Sequence, residues 1–118
     1  MTAPRTTATL DAACLTTDGR LTPLTLHQAH VLAGMYAAIG CDLVEPVTLS
    51  DRLTMWLDEE GMYTGRVNLL ATLIAHRFGH THQPYFGHAV FTGGVDTEGN
   101  TLPLTPDQVE WLTATCPE

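Results

Sequence analysis

The sequence contains no lysine and only one serine, and each scarcity disfavours a class of function. All positive charge comes from five arginines, which are scattered along the chain against thirteen acidic residues, for a net charge of −8. Because a nucleic-acid backbone is itself negative, direct nucleic-acid binding is not expected. The single serine, Ser50, lacks the flanking glycines of a nucleophile elbow. Serine-based hydrolysis is therefore not predicted.

Cysteines and long apolar runs are also scarce. Cys14, Cys41 and Cys116 are odd in number and form no C-x-x-C motif, so neither a disulfide framework nor a cysteine-rich zinc site is predicted. No apolar run approaches the roughly 20 residues that a membrane-spanning helix needs. The opening segment, MTAPRTTATLDAACL, lacks the hydrophobic region of a secretory signal. We therefore expect a cytoplasmic protein without a membrane partner.

The length favours one compact domain. A chain of 118 residues with 44% hydrophobic content can build one core but is too short for two. We treat residues 1–118 as a single domain, in which residues 1–7 are expected to be flexible.

Two segments of the chain align without a gap. TTDGRLTPLTLHQAHVL (16–32) and DTEGNTLPLTPDQVEWL (96–112) share an acid–Gly pair, which favours a tight turn. In both segments a threonine, Thr25 or Thr105, is followed three residues later by Gln, which is the spacing of a helix capping box. Both segments therefore predict the order strand, turn, strand, helix.

A third, looser copy of this pattern occupies residues 53–79, with its hairpin turn expected at Glu60-Gly61. Either an ancestral repeat or three independent uses of the same turn chemistry would explain the similarity. Asp18, Glu60 and Glu98 are therefore predicted to be turn residues rather than catalytic acids. The three expected units lie at about 8–39, 42–79 and 85–116.

Helix and strand signals between the turns set the fold class. From Leu32 to Ile39 and from Val67 to Phe78, apolar residues recur at the i, i+3, i+4, i+7 spacing of a helix with one buried face. Gly40 and Gly79 are placed to end these helices, and Pro46 favours an edge strand or a bulge. The prediction is an α+β domain with a mostly antiparallel sheet, built from hairpins and covered by two or three helices.

Four of the six histidines lie in the segment HRFGHTHQPYFGH (76–88), which raises the possibility of a zinc-binding protein or a small metal-dependent hydrolase. The spacing matches no established zinc motif, and no cofactor is predicted from it. Each histidine also has a structural interpretation, at a helix end, in a polar loop or on a strand. The candidate metal ligands are His76, His80, His82 and His88.

A protein without catalytic motifs is expected to act by binding. Large aromatic side chains are the usual anchors of a protein interface, although each of those present here could equally belong to the core. A host protein, a small ligand or a second copy of the chain would be the partner. A further alternative, suggested by the net charge, is an acidic mimic of DNA that inhibits a host nucleic-acid enzyme. The candidate anchors are Trp56, Tyr63, Tyr85 and Trp111.

Four features between about Gly34 and Leu112 form a family pattern. They are the step from Gly40 to Glu45, the acid–Gly turn ending at Gly61, Asn68 and Ala71 at a helix start, and the strand from Gly87 to Gly93. In these features the sequence resembles the family called domain of unknown function 3846, whose members occur largely in bacteriophages, plasmids and actinobacteria. The resemblance implies a small accessory protein of a phage or mobile element, which would act in the host cytoplasm, and it brings no activity or catalytic residues.

Overall fold

The computed structural model describes residues 8–116, and within them it confirms the predicted α+β class. The prediction that residues 1–7 are flexible lies outside the described residues. None of the helices between residues 8 and 116 has the length and apolar character needed to cross a membrane. The elements are β1 (Thr9–Leu15), β2 (Leu21–His27), α1 (Val31–Ile39), β3 (Val44–Ser50), β4 (Leu53–Asp58), α2 (Gly61–Thr64), α3 (Leu69–Arg77), β5 (Ala89–Thr92) and α4 (Pro106–Thr115).

The five strands form one antiparallel sheet in the order β2-β1-β5-β4-β3. Two hairpins, β1–β2 and β3–β4, make its two halves. The short strand β5 lies between them and joins the halves, since Phe91 pairs with Ala13 on one side and with Met55 on the other. The centre of the sheet therefore depends on a strand that comes late in the chain.

Both faces of the sheet are covered by helices. Along β1, Ala13 and Leu15 face a core that includes buried residues of α3 and α4, whereas Leu10 and Cys14 face a second core that includes α1. This alternation follows from the two-residue period of a strand. Phe91 is fully buried at the centre of the larger core. The domain is thus a three-layer arrangement of helix, sheet and helix.

The two predicted capping boxes have different outcomes. At the start of α4 the Thr105 hydroxyl accepts a hydrogen bond from the Gln108 amide at 3.1 Å, and the Gln108 side chain accepts one from the Thr105 amide at 2.9 Å. The prediction at Thr25 is wrong, because Thr25 lies in β2 and pairs with Asp11. A short 3₁₀ turn, Gln28–His30, precedes α1 instead.

The second and third expected hairpins also differ from the prediction. The β3–β4 hairpin turns at Asp51-Arg52, and Gly61 starts the short helix α2 instead of a hairpin tip. In the third unit, Val95 and Thr101 form only an isolated bridge around the acidic turn. The acid–Gly pair specifies a turn in each case, but it does not specify that long strands flank that turn.

The helix ends and the edge strand agree with the sequence prediction. Gly40, with φ of 83°, caps α1 in the left-handed conformation, and Gly79, with φ of 96°, follows α3. Pro46 lies in β3, which is an edge strand, and the pairing of β3 shifts between Thr48 and Ser50 as in a bulge.

Asn68 is a fully buried polar side chain whose hydrogen-bonding groups all have partners. Its Nδ2 donates to the Leu15 carbonyl at 3.0 Å and to the Gly87 carbonyl at 2.9 Å. Its Oδ1 accepts from the Ala71 amide at 3.1 Å and so caps α3. Its backbone amide donates to the Tyr85 carbonyl at 2.8 Å. One side chain therefore joins β1, the start of α3 and the segment before β5.

We expect Asn68→Ala to lower the free energy of unfolding by about 3 kcal/mol, because two buried carbonyls lose their donor and α3 loses its cap. Urea denaturation of the purified protein measures this loss. The matched control is Asn100→Ala, which truncates an exposed asparagine in a surface turn and should cost about 0.5 kcal/mol. Equal losses for the two variants would contradict the role given to Asn68.

Candidate functional site

The four candidate histidine ligands lie in different surroundings. His80 Nε2 lies 2.9 Å from the Thr48 carbonyl, and it must donate there because a carbonyl only accepts. His88 Nδ1 accepts from the Thr17 amide at 3.2 Å, at the β1–β2 turn. These contacts lie at opposite halves of the sheet. His82 is exposed, and His76 lies near the end of α3 with its Nε2 buried.

The structure does not bring these histidines together. Across residues 8–116, no three side chains of His, Cys, Asp or Glu are grouped so that they could hold a metal ion. A zinc site needs three or four ligands that converge at about 2 Å. The geometry therefore gives no support to a metal site built from His76, His80, His82 and His88.

Three of the four candidate aromatic anchors are part of the packing. Trp56 is half-buried and its indole N–H donates to the Thr92 hydroxyl at 2.9 Å. Trp111 packs edge-on against Phe78, with ring centroids 5.9 Å apart. Tyr85 is only 7% exposed and belongs to the larger core. The fourth, Tyr63 of α2, is 80% exposed.

A cavity of about 390 Å³ lies where β3 begins and β4 ends, and it is closed by α2 and by the segment 83–86. Leu57 and Tyr85 form buried parts of its wall, and Met62 of α2 contributes an exposed apolar edge. Three carboxylates also line it, from Glu45, Asp58 and Glu59. We call this cavity the acidic pocket.

Close backbone contacts fix the position of α2 against residues 86 and 87. A Cβ atom at Gly61 would lie 3.0 Å from the Phe86 carbonyl oxygen, and one at Gly65 would lie 3.0 Å from the Gly61 carbonyl oxygen. Val67 and Phe86 form a bridge, supported by a hydrogen bond from the Gly87 amide to the Arg66 carbonyl. The wall of the acidic pocket is therefore part of the folded framework.

Tyr85 is held firmly within this wall. Its backbone amide donates to the Thr72 hydroxyl at 2.9 Å, and its carbonyl accepts from Asn68. Burial raises the pKa of the Tyr85 phenol above its ordinary value, and the negative charge of Glu45 raises this pKa further. Glu45 and Tyr85 both line the acidic pocket.

A protein-family model described as Domain of unknown function (DUF3846) matches residues 13–116. The chain belongs to this family. The match is wider than the resemblance over residues 34–112 and includes the whole acidic pocket. Comparisons of this DUF3846 domain with curated proteins and with solved structures each found no match. The residues that line the acidic pocket are therefore the basis for proposing a function.

The sequence prediction named Tyr85 and Tyr63 but missed most of the acidic pocket. The sequence predicts a hairpin turn at Glu60-Gly61, directly after Asp58 and Glu59, and it gives no reason to connect these acids with Glu45. The run LDEEGMY could have indicated the pocket. Its carboxylates are adjacent in sequence to Met62 and Tyr63, which the short helix α2 leaves exposed. Its meaning depends on Tyr85, which is distant in the sequence.

We expect Glu45→Gln to lower the pKa of Tyr85 toward its ordinary value without reaching it, because burial is the larger cause of the shift and remains in the variant. A pH titration of the tyrosine ring signals by NMR measures the change. Glu98→Gln, which neutralises an exposed acid in the 96–100 turn, should leave the Tyr85 titration unchanged. A Tyr85 pKa that is the same in all three proteins would show that Glu45 does not act on the ring.

Proposed function

We propose that this DUF3846 domain is a non-enzymatic binding protein and that the acidic pocket is its binding site. The observation that carries the proposal is the pocket itself, whose volume of about 390 Å³ falls in the range of roughly 300–1,000 Å³ typical of ligand sites. Its walls combine apolar side chains with a few convergent polar groups, which is the usual composition of such sites. The lining has carboxylates and a phenol but no nucleophile with an adjacent base.

The surface beside the pocket suits a partner larger than a small molecule. Met62 is 64% exposed and Tyr63 is 80% exposed. Both lie on α2, and Met62 also lines the acidic pocket. Neighbouring exposed apolar side chains of this size are a frequent feature of protein interfaces. We therefore favour a host protein that inserts part of its surface into the pocket and covers α2.

The setting that we propose is the cytoplasm of a bacterial host, where the domain acts as an accessory protein of a phage or another mobile element. The family resemblance supports the origin. Free thiols at Cys14, Cys41 and Cys116 are compatible with a reducing compartment. Within the described residues 8–116, no specific contact favours a zinc-dependent hydrolase or a DNA mimic.

We expect Met62→Arg to reduce retention of the natural partner about tenfold, a loss of roughly 1.4 kcal/mol in binding free energy, because it places a long charged side chain at the mouth of the pocket. Native mass spectrometry of untagged protein from its natural host measures partner retention and the number of subunits. The matched control is Leu32→Arg, which makes the same change at an exposed residue of α1, on the opposite face of the sheet.

Leu32→Arg should retain the partner at the wild-type level. Retention by both variants would contradict the acidic pocket as the binding site, and selective loss in Leu32→Arg would move the site to α1. A second copy of the chain as the sole partner, lost only in Met62→Arg, would identify the pocket as a self-association surface.

A further inference from the structure

We propose that the acidic pocket recognises a cation carried on an apolar stem, namely an arginine or lysine side chain presented by the partner protein. This inference rests on the proposed binding function and names the chemistry of the partner. Three independent features of the pocket support it: the sign of its charge, the apolar surface beside that charge, and an accessible tyrosine hydroxyl that has no partner within residues 8–116.

The charge of the pocket is of one sign. Glu45, Asp58 and Glu59 contribute carboxylates, and no Arg or His side chain lies in the lining to balance them. An anionic ligand would be repelled, whereas a cation would gain the attraction of three carboxylates. The net charge of −8 adds long-range attraction for a positively charged partner.

The apolar part of the lining selects among cations. Leu57 is 5% exposed and Tyr85 is 7% exposed, so both present mostly packed, hydrophobic wall next to the carboxylates. A hydrated inorganic ion would leave this wall unused, and a neutral apolar ligand would remove water from the carboxylates without replacing their partners. The aliphatic stem of arginine or lysine covers apolar surface while its charged end reaches polar groups.

The third feature is the Tyr85 hydroxyl. Within residues 8–116 it has no hydrogen-bond partner, and the phenol is subject only to burial and to the charge of Glu45. Among residues 8–116, His76 Nε2 is the side-chain atom that is buried and lacks a partner. The Tyr85 hydroxyl is therefore accessible, and Tyr85 lines the acidic pocket.

A guanidinium or ammonium group satisfies this hydroxyl. The phenol oxygen accepts a hydrogen bond from the cation while the carboxylates neutralise its charge. A tyrosine phenol is neutral near pH 7 even at its ordinary pKa, so that it does not add a fourth negative charge.

Titration with defined probes, followed by NMR of the backbone amides around Gly61 and Phe86, tests the inference on the full chain. The probes are n-butylguanidinium, its neutral analogue n-butylurea, and the end-blocked peptide Gly-Gly-Arg-Gly-Gly. We expect n-butylguanidinium to bind at least about tenfold more tightly than n-butylurea, and we expect the peptide to bind at least as tightly as n-butylguanidinium. Raising the salt concentration should weaken the two cationic probes only.

A double variant tests the carboxylates separately from net charge. Glu45→Gln with Glu59→Gln should weaken n-butylguanidinium about tenfold and leave n-butylurea unchanged. The control, Glu98→Gln with Glu110→Gln, removes the same charge from exposed positions outside the pocket and should weaken n-butylguanidinium by less than about twofold. Equal weakening in the two double variants would overturn the assignment to Glu45 and Glu59.

The outcomes separate this inference from the proposed function. Equal affinity for n-butylurea and n-butylguanidinium would overturn the cation and leave the pocket as a binding site. Binding of n-butylguanidinium without the peptide would overturn a partner protein as the source and point to a free amine. The absence of binding by every probe, together with partner loss in Met62→Arg, would overturn this inference alone. The absence of binding by every probe, together with wild-type partner retention by Met62→Arg, would overturn both proposals.

Discussion

The buried amide of Asn68 is the interaction on which the rest of the domain depends. It binds a carbonyl of the interior strand β1, caps α3, and holds the segment that leads into β5. An amide in a dry interior is stable only when its donors and acceptors are all paired, so these three segments can meet in one arrangement. Thr72 extends the network, because its hydroxyl donates to the Asn68 carbonyl and accepts from the Tyr85 amide. The polar network that holds α3 on the sheet thus also fixes the wall of the acidic pocket.

The parts of the fold that the sequence predicted are those with local causes. Gly40 ends α1 and Pro46 lies on an edge strand because the backbone restrictions of these residues act wherever they stand. Thr25 failed as a cap because its main chain is committed to the ladder with β1, which is a tertiary constraint. The insertion of β5 between two hairpins is also non-local, and no short pattern specifies it. The acidic pocket is also non-local, since Asp58 and Tyr85 come from separate segments that tertiary contacts, such as that of Gly61 with Phe86, bring together.

What an acidic composition indicates about function depends on where the acidic side chains lie. Thirteen acids in a small chain are explained by solubility when they are spread over the surface. In this DUF3846 domain three of them line one cavity without a balancing base, beside apolar side chains and an unpaired phenol. The turns at Asp18 and Asp96 show the contrasting use of an acid. Hydrogen bonds hold the pKa of each of these carboxyls below its ordinary value, and for Asp96 the donors are mainly backbone amides of its own turn. These two acids stabilise turns. Asp58 of the pocket also stabilises a turn, since its Oδ1 accepts a hydrogen bond from the Glu60 amide at 2.9 Å, and it does so while lining the pocket beside Glu45 and Glu59.

The outer edge of β3 lacks the regular row of free donors and acceptors that an edge strand normally offers. Pro46 has no N–H, the bulge near Ser50 breaks the spacing, and His80 already occupies the Thr48 carbonyl. These features weaken the pairing that a strand from another molecule could make at this edge, which guards against aggregation between sheets. They also disfavour β-strand addition there as a mode of recognition. A partner that approaches this side of the domain is then selected mainly by the fit of its side chains.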